Sequence, residues 1–217
     1  MNSLSPNTVG AGFERWRSVC VSLNATQRVE DTYRDLTTRY QESVRAYHNL
    51  EHIVKCLDEF DLLRRLARNS SSVELAIWFH DAVYDSRAAD NEEKSAALAE
   101  VFLRAMGIVG ETPHTVGSLI RLTKHDCAPT TVDEQIILDV DLAILGQSPE
   151  VFDKYESGVR VEYAWVSDKE FWSKRTGFLK SLLAREQIFH TALCRQRYEL
   201  AARQNLQRTI DRTASQE

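Results

Sequence analysis

The stretch Ser72-Val73-Glu74-Leu75-Ala76-Ile77-Trp78-Phe79-His80-Asp81 decides the fold. As a helix it is apolar on nearly every side instead of along one stripe, and a helix of this kind lies at the centre of a bundle. Ser72 is placed to cap its N-terminus. His80 and Asp81 follow at its C-terminal end, so we expect both of them to lie deep in the structure.

Helical periodicity extends over the rest of the chain. The segment 47–66 has apolar residues at positions i, i+3, i+4 and i+7. Eight glycines and four prolines leave few turns, so long helices must account for most of the 217 residues. No alternation of apolar and polar residues is long enough to predict a strand.

Capping signals show where individual helices begin. Two capping boxes are predicted, Asp90 with Glu93 and Thr131 with Glu134. Ser167 starts a last, long helical stretch that runs towards Ile210. We predict one all-α domain, a helical bundle of roughly eight or nine helices over residues 13–207. A disordered lead-in over residues 1–12 precedes it, and a C-terminal tail over residues 208–217 follows.

Composition excludes several classes of protein. The net charge of −5 and the pI near 5.7 argue against a broad nucleic-acid-binding face. No apolar run approaches the roughly 18 residues that span a bilayer, and the N-terminus lacks the features of a signal peptide. The four cysteines are far apart and fit thiols in a reducing cytoplasm. We expect a cytoplasmic protein that binds neither a nucleic acid polymer nor a membrane, and a homodimer is compatible with the sequence.

Two short runs concentrate histidines beside acidic and polar residues. They are Tyr47-His48-Asn49-Leu50-Glu51-His52 and Phe79-His80-Asp81. Because His48 and His52 are four residues apart in a segment predicted to be helical, they are expected to project from one face. Imidazole nitrogens and carboxylate oxygens are ligands that divalent metals accept. The two runs therefore predict a metal site.

Further acidic residues are candidates to complete this site. Asp139 and Asp141 lie in an apolar helix, where an unpaired carboxylate is costly to bury. A metal ion can compensate that cost, and so can an arginine or a capping group. Asp85 and Glu92 follow the His80-Asp81 pair closely and are candidates to orient a bound water or to bind a second ion.

Polar and cationic side chains are candidates for contacts with a substrate. They are Asn49, Lys124, His125, Arg160 and Arg175. Lys124, Arg160 and Arg175 are cations, and cations of this kind can bind the negative charge of a phosphate group. The alternative for each cation is an exposed position or an intramolecular ion pair, and the alternative for His125 is an exposed loop position.

These motifs together resemble the HD superfamily of metal-dependent phosphohydrolases, which are all-α proteins. The resemblance is carried by Arg45-x-Tyr47-His48-Asn49-x-x-His52, Trp78-Phe79-His80-Asp81-x-Val83-Tyr84-Asp85, Asn91-Glu92-x-x-Ser95-Ala96 and Leu138-Asp139-x-Asp141-Leu142. They are similar to an uncharacterised bacterial branch that is described as predicted phosphohydrolases. The similarity extends from about residue 13 to residue 207.

The resemblance implies a role for each residue of the site. It implies His52, His80, Asp81 and Asp141 as metal ligands, with Asp139 as the alternative to Asp141. The first run also resembles the metal-site motif of cyclic-nucleotide phosphodiesterases, in which the first histidine protonates the leaving oxygen. His48 is therefore implied as the general acid. The nucleotide clamp of those enzymes has no recognisable counterpart, so cyclic nucleotides are not implied as substrates.

The implied reaction is hydrolysis of a small phosphate ester, a nucleotide or a related phosphorylated metabolite. A divalent ion would lower the pKa of a bound water to about 7. Mixed histidine and aspartate ligation fits Mn²⁺, Fe²⁺, Co²⁺, Ni²⁺ or Zn²⁺ better than Mg²⁺ alone. Two other classes stay open. One is an HD-fold di-iron oxygenase using extra histidines such as His114 and His125, and the other is a non-catalytic ligand-binding or regulatory protein.

Overall fold

The computed structural model describes residues 6–214, with side chains from residue 12 onward. Ten α-helices and two 3₁₀ turns make up its regular structure, and no strand occurs in this range. The helices are α1 (Pro6–Ser22), α2 (Val29–Tyr40), α3 (Leu50–Leu63), α4 (Ser70–Phe79), α5 (Asn91–Ala105), α6 (Thr112–Leu122), α7 (Val132–Leu142), α8 (Pro149–Glu162), α9 (Asp168–Leu183) and α10 (Ala192–Ala214). The 3₁₀ turns are Arg64–Leu66 and Ala143–Gly146. The predicted all-α class is confirmed.

The chain divides into two compact units. The first unit ends at Ile137 and the second begins at Leu138, so the boundary falls inside α7. The helical periodicity is continuous along the sequence and gives no sign of a boundary at this point, so the sequence predicts one domain, and the number of domains stays a prediction. Within the described residues, no helix is both long enough and apolar enough to cross a membrane.

Helix α4 is the centre of the first unit, as predicted. Every residue from Ser72 to Phe79 is buried, and α4 packs against α1, α3, α5 and α6. The indole rings of Trp16 and Trp78 meet edge to face with their centroids 5.8 Å apart. The Tyr40 hydroxyl donates a hydrogen bond of 2.9 Å to the Trp78 carbonyl. Because aromatic side chains bury about 150–250 Å² each, this cluster is a large part of the core.

Glu74 is the one carboxylate within the buried stretch of α4. It is 3% exposed, and two arginines from neighbouring elements compensate its charge. Arg15 Nε lies 2.9 Å from one carboxylate oxygen, and Arg64 Nη2 lies 2.6 Å from the other. A buried charge is tolerated when it is paired and hydrogen-bonded in this way.

Helix α4 begins two residues earlier than the predicted cap. The side chain of Asn69 accepts a hydrogen bond of 3.0 Å from the Ser72 N–H, so Asn69 is the N-cap and the helix starts at Ser70. Ser72 is therefore inside the first turn, and its predicted capping role is wrong. Asparagine and serine are both strong N-cap residues, and the sequence offered both within four positions.

One of the two predicted capping boxes is present. The Glu134 N–H donates to Thr131 Oγ1 at 3.3 Å, and the Thr131 N–H donates to Glu134 Oε2 at 3.1 Å. The other box does not form, because Asp90 makes no capping hydrogen bond. Glu93 instead accepts a hydrogen bond of 2.7 Å from Arg121 on α6. A tertiary ion pair has replaced the local interaction there.

The last predicted helix is in fact two helices, α9 and α10, separated by residues 184–191. Carboxylates distant in sequence bind the backbone of this connection. Glu199 accepts hydrogen bonds from the N–H groups of residues 188–189, and Asp139 accepts two of 2.7 Å each from residues 190–191. Hydrogen bonds to a charged acceptor are stronger than neutral ones. They satisfy backbone N–H groups that a continuous helix would have paired internally.

Both chain ends are more helical than predicted. Helix α1 starts at Pro6, inside the predicted lead-in, and proline is suited to a first helical turn because its missing N–H is not needed there. Helix α10 continues past residue 207 because Thr209 and Ile210 are still buried. The predicted lead-in and tail also include residues 1–5 and 215–217, which lie outside the described residues.

The four cysteines all lie in the described part of the chain, and none forms a disulfide. Three of them, Cys20, Cys56 and Cys194, are buried, and Cys127 is exposed. Burial raises the pKa of the Cys20 thiol to about 12, with a further rise from the nearby Glu74 and Glu30 carboxylates.

Gly146→Ala is expected to destabilise the second unit. The turn Ala143–Gly146 passes so close to α10 that a Cβ atom on Gly146 would lie 2.8 Å from the Cα atom of Tyr198. The backbone of a packed helix cannot move aside as a side chain can. We expect the free energy of unfolding, measured by urea denaturation, to fall by about 1–3 kcal/mol.

Gly177→Ala in α9 is the matched control. A Cβ atom on Gly177 would meet nothing within 4 Å. Alanine also favours a helix over glycine by about 0.5–1 kcal/mol, so this variant should be at least as stable as the wild type. If Gly146→Ala were equally stable, the close approach of the turn to α10 would be contradicted.

Candidate metal centre

Asn49 determines where α3 begins. Its Oδ1 atom accepts the N–H groups of Glu51 at 2.9 Å and His52 at 3.4 Å, and its Nδ2 donates to the Ala46 carbonyl at 3.1 Å. His48 therefore lies before the helix, and the prediction that it shares a helical face with His52 is wrong. The structure shows the Asn49 side chain as a helix cap, and its predicted contact with a substrate stays a prediction.

His52, His80 and Asp81 bring three potential ligand atoms together in the first unit. The Nε2 atoms of the two histidines are 3.1 Å apart. Asp81 Oδ2 lies 3.2 Å from His80 Nε2 and 3.5 Å from His52 Nε2. The histidines are 5% and 2% exposed, whereas 17% of the Asp81 side chain is exposed. Packing of α3 against α4 produces this arrangement, since His80 directly follows the last residue of α4.

The hydrogen bond of the other His80 nitrogen determines what its Nε2 can do. His80 Nδ1 lies 2.9 Å from the Ile77 carbonyl oxygen, which can only accept, so Nδ1 carries a proton. In neutral His80 the Nε2 atom therefore has a lone pair, and that lone pair is directed towards His52 and Asp81. Metal-binding histidines usually have their second nitrogen fixed in this way. Without a metal, the Nε2–H group of His52 can instead donate a hydrogen bond to the Nε2 atom of His80.

The separations of the three atoms fit ligation of a single ion. For metal–ligand bonds of about 2.1 Å, distances of 3.1–3.5 Å correspond to ligand–metal–ligand angles of about 95–113°. These angles lie in the range that octahedral and tetrahedral sites use. The two imidazoles and the carboxylate therefore fit a divalent metal in number, chemistry and spacing.

Asp81 is held in the ionised form that a metal ligand needs. Burial disfavours the charged carboxylate, but His80, His48 and His52 outweigh that effect. Together they hold the pKa of Asp81 well below its usual range. The histidines have this effect when they are protonated, so a bound metal would replace their positive charge beside the carboxylate.

Cys56 is a residue of this group that the sequence analysis missed. It lies one turn after His52 on α3, is 2% exposed, and has its Sγ atom 3.6 Å from His52 Nδ1. Ligand atoms of His52, Cys56 and His80 all lie within 4.8 Å of one another, so these buried side chains could hold a metal ion. The available signal was the i, i+4 spacing of His52 and Cys56, which places both on one helical face.

His48 lies at the edge of the ligand group between two tyrosines. Its ring stacks on Tyr84 with centroids 4.2 Å apart and an interplanar angle of 25°, and it meets Tyr47 edge to face at 5.0 Å. Its centroid is 6.1 Å from that of His52. His48 is partly exposed whereas the neighbouring ligands are buried. It is thus placed to exchange a proton with a molecule that enters from solvent.

The two carboxylates near the end of α7 differ in their surroundings. Asp139 is fully buried, and both of its oxygens accept backbone N–H groups of residues 190–191. Burial raises the pKa of Asp139, although these hydrogen bonds oppose the rise. Asp141 is partly exposed. The structural use of Asp139 favours Asp141 as the ligand, and because Asp141 belongs to the second unit, its ligation stays a prediction.

Two acidic candidates lie in the segment that follows Asp81. Asp85 is exposed, and its Oδ1 accepts the Arg87 N–H at 2.9 Å, which stabilises the turn before α5. Glu92 lies in the first turn of α5, where a negative charge interacts favourably with the helix dipole. A role for either carboxylate in water activation stays a prediction.

Lys124 and His125 lie just after α6. Lys124 is exposed and lies 3.7 Å from Asp126. His125 has a left-handed backbone with φ of 59°, which is uncommon for a residue other than glycine. Their predicted contacts with a substrate also stay predictions.

Arg160 and Arg175 both have structural partners within the second unit. Arg160 pairs with Asp168 at 2.6 Å and donates to two backbone carbonyls. Arg175 pairs with the buried Glu156 at 2.6 Å and also donates to the Tyr155 hydroxyl. Intramolecular ion pairing, the alternative considered for each of them, accounts for both side chains.

Asn49→Ala is expected to lower the free energy of unfolding by about 0.5–2 kcal/mol, because the first turn of α3 loses its side-chain acceptor. Asn49→Asp keeps a capping oxygen and should stay close to the wild type in urea denaturation. Unchanged stability of Asn49→Ala would contradict the capping role. An Asn49→Asp variant with full stability and no activity would instead indicate a substrate contact.

Comparisons of the chain with protein-family models, with curated proteins and with solved structures found no match.

Proposed function

We propose that this protein is a metal-dependent phosphohydrolase that acts on a small phosphate ester, a nucleotide or a related phosphorylated metabolite. The observation that carries the proposal is the convergence of His52 Nε2, His80 Nε2 and Asp81 Oδ2 within 3.1–3.5 Å of one another, largely buried. The partly exposed His48 beside them supports it. The resemblance of the sequence motifs to HD phosphohydrolases is consistent with the same reaction.

In this proposal His52, His80 and Asp81 hold a divalent ion, and Asp141 is the fourth ligand. Nitrogen and oxygen ligands together suit Mn²⁺, Fe²⁺, Co²⁺, Ni²⁺ or Zn²⁺ better than Mg²⁺. Such an ion, when bound, supplies Lewis acidity towards a phosphoryl oxygen and a water of lowered pKa. The Ile77 carbonyl keeps the His80 ring in the tautomer that leaves Nε2 available.

His48 is the proposed proton donor to the leaving oxygen. The stack against Tyr84 and the edge contact with Tyr47 restrict the orientation of its ring. A positioned general acid typically contributes about 10²–10⁴-fold to a rate. Lys124 is the proposed contact for the remaining phosphate charge, because its exposed pairing with Asp126 is of a kind that contributes little and can be exchanged.

Metal addition should stabilise the wild-type protein. A metal at 100 times its dissociation constant adds about 2.7 kcal/mol to the free energy of unfolding, and a chelator should reverse the gain. The measurement is thermal unfolding with and without Mn²⁺, Co²⁺ or Zn²⁺. Asp81→Asn and His80→Ala should lose the gain, whereas His114→Ala, which removes an exposed histidine of α6, should keep it.

The reaction is tested by metal analysis of the purified protein, followed by a phosphate-release screen across nucleotides and sugar phosphates in the presence of that metal. We expect release from at least one of these esters, and we expect His80→Ala and Asp81→Asn to abolish it. Bound metal with no release from any ester would count against the proposal. Oxygen consumption by the iron-loaded protein would favour the oxygenase class, and unchanged metal content in both variants would favour a non-catalytic protein.

A further inference from the structure

Arg45 is a buried cation close to the candidate metal centre. The residue is 6% exposed overall, and its side chain is 1% exposed. A guanidinium is expensive to bury unless its N–H groups are satisfied, because water no longer solvates the charge. Its partners therefore show what its burial accomplishes.

The guanidinium of Arg45 binds two separate segments of the first unit. Nη1 donates to the His48 carbonyl at 3.1 Å and to the Asp81 carbonyl at 2.6 Å. Nη2 donates to the Ala82 carbonyl at 3.2 Å, and Nε donates to a Glu42 carboxylate oxygen at 3.0 Å. One rigid group thus joins the segment before α3 to the turn after α4.

Neither of these two segments is held by a helix. His48 precedes the N-cap of α3, and Asp81 lies in the turn that follows α4. The ligands His52 and His80, in contrast, lie within α3 and at the end of α4, and those helices pack against each other directly. Arg45 therefore fixes the place of His48 relative to Asp81, while helix packing suffices for the two histidine ligands.

We propose that Arg45 is a positioning residue that sets the general acid His48 at its working distance from the metal ligands. The proposal rests on the proposed phosphohydrolase function. It adds to the site a residue whose hydrogen bonds are all to protein groups. The rings of Tyr40 and Tyr84 lie 5.3 and 5.6 Å from the guanidinium carbon, so Arg45 also contacts the tyrosine on which His48 stacks. Lysine cannot replace this planar fork of donors.

The test compares two phosphate esters that differ in their need for a general acid. Hydrolysis of 4-nitrophenyl phosphate releases a stable phenolate, whereas an alkyl phosphate needs a proton on its leaving oxygen. For Arg45→Lys we expect kcat on the alkyl ester to fall about 10²-fold or more, and kcat on the nitrophenyl ester to fall far less. Mn²⁺ affinity, measured by calorimetry, should stay within a few-fold of the wild type.

His48→Gln should show the same dependence on the leaving group. The double variant of Arg45→Lys and His48→Gln should be no worse than His48→Gln alone, because both changes act on one proton transfer. Arg15→Lys is the matched control, since Arg15 also binds a carboxylate and a backbone carbonyl in the first unit but contacts Glu74, Asp61 and Leu57. It should affect both esters equally and slightly.

Glu42→Gln provides a variant that is expected to fold, because the Glu42 side chain is 47% exposed. It weakens one Arg45 contact and should give a smaller loss that is again confined to the alkyl ester. Three results would overturn the positioning role and leave the proposed function intact. They are equal losses on both esters, additive losses in the double variant, and unchanged activity of Glu42→Gln on the alkyl ester. A wild-type protein that hydrolyses neither these two esters nor any ester of the phosphate-release screen would overturn both the positioning role and the proposed function.

Discussion

Between Ser72 and Phe79, helix α4 exposes no face to solvent, and the packing of the helices in the first unit follows from that constraint. Its residues from Ser72 to Phe79 are buried, so four other helices must surround it. The helix can return to polar surroundings only at its ends. At the N-terminal end Asn69 caps it, and at the C-terminal end His80 and Asp81 follow in a partly enclosed turn. The candidate metal centre lies at this C-terminal end. The last carbonyl groups of a helix have no partner within the helix, so they are available to bind other groups there.

Three buried carboxylates, one in the first unit and two in the second, are compensated by arginines or by backbone N–H groups. In the first unit, two arginines pair with Glu74. In the second unit, backbone N–H groups compensate Asp139, and Arg175 compensates Glu156. Asp81 differs from these three because its side-chain partners are histidines, which are cationic only when protonated. This difference is the electrostatic reason to assign a cation to Asp81 and to assign structural tasks to the others.

The sequence predicted those features that depend on local pattern. The buried α4, the all-α class and the Thr131–Glu134 box follow from the order of apolar and capping residues over a few turns. The two histidine runs indicated that His52, His80 and Asp81 belong to one site, and the structure brings these side chains together, while their role as metal ligands stays a prediction. Features set by distant partners could not be predicted, such as the break at residues 184–191, which depends on Asp139 and Glu199. Arg45 belongs to this second kind, because its hydrogen bonds join the segment before α3 to the turn after α4. Cys56 does not, because its i, i+4 spacing from His52 is visible in the sequence.

The distribution of the thiols makes the natural chain suitable for attaching a single probe. Cys127 is the one exposed cysteine of four, and it follows the segment that contains Lys124 and His125. A maleimide fluorophore should therefore label one position without any engineered cysteine. A hydrogen bond with Asp126 raises the pKa of the Cys127 thiol, so labelling will be slower than for an ordinary surface cysteine and will accelerate in mildly alkaline buffer. A dye at this position would report on changes beside α6 in a protein of otherwise native sequence.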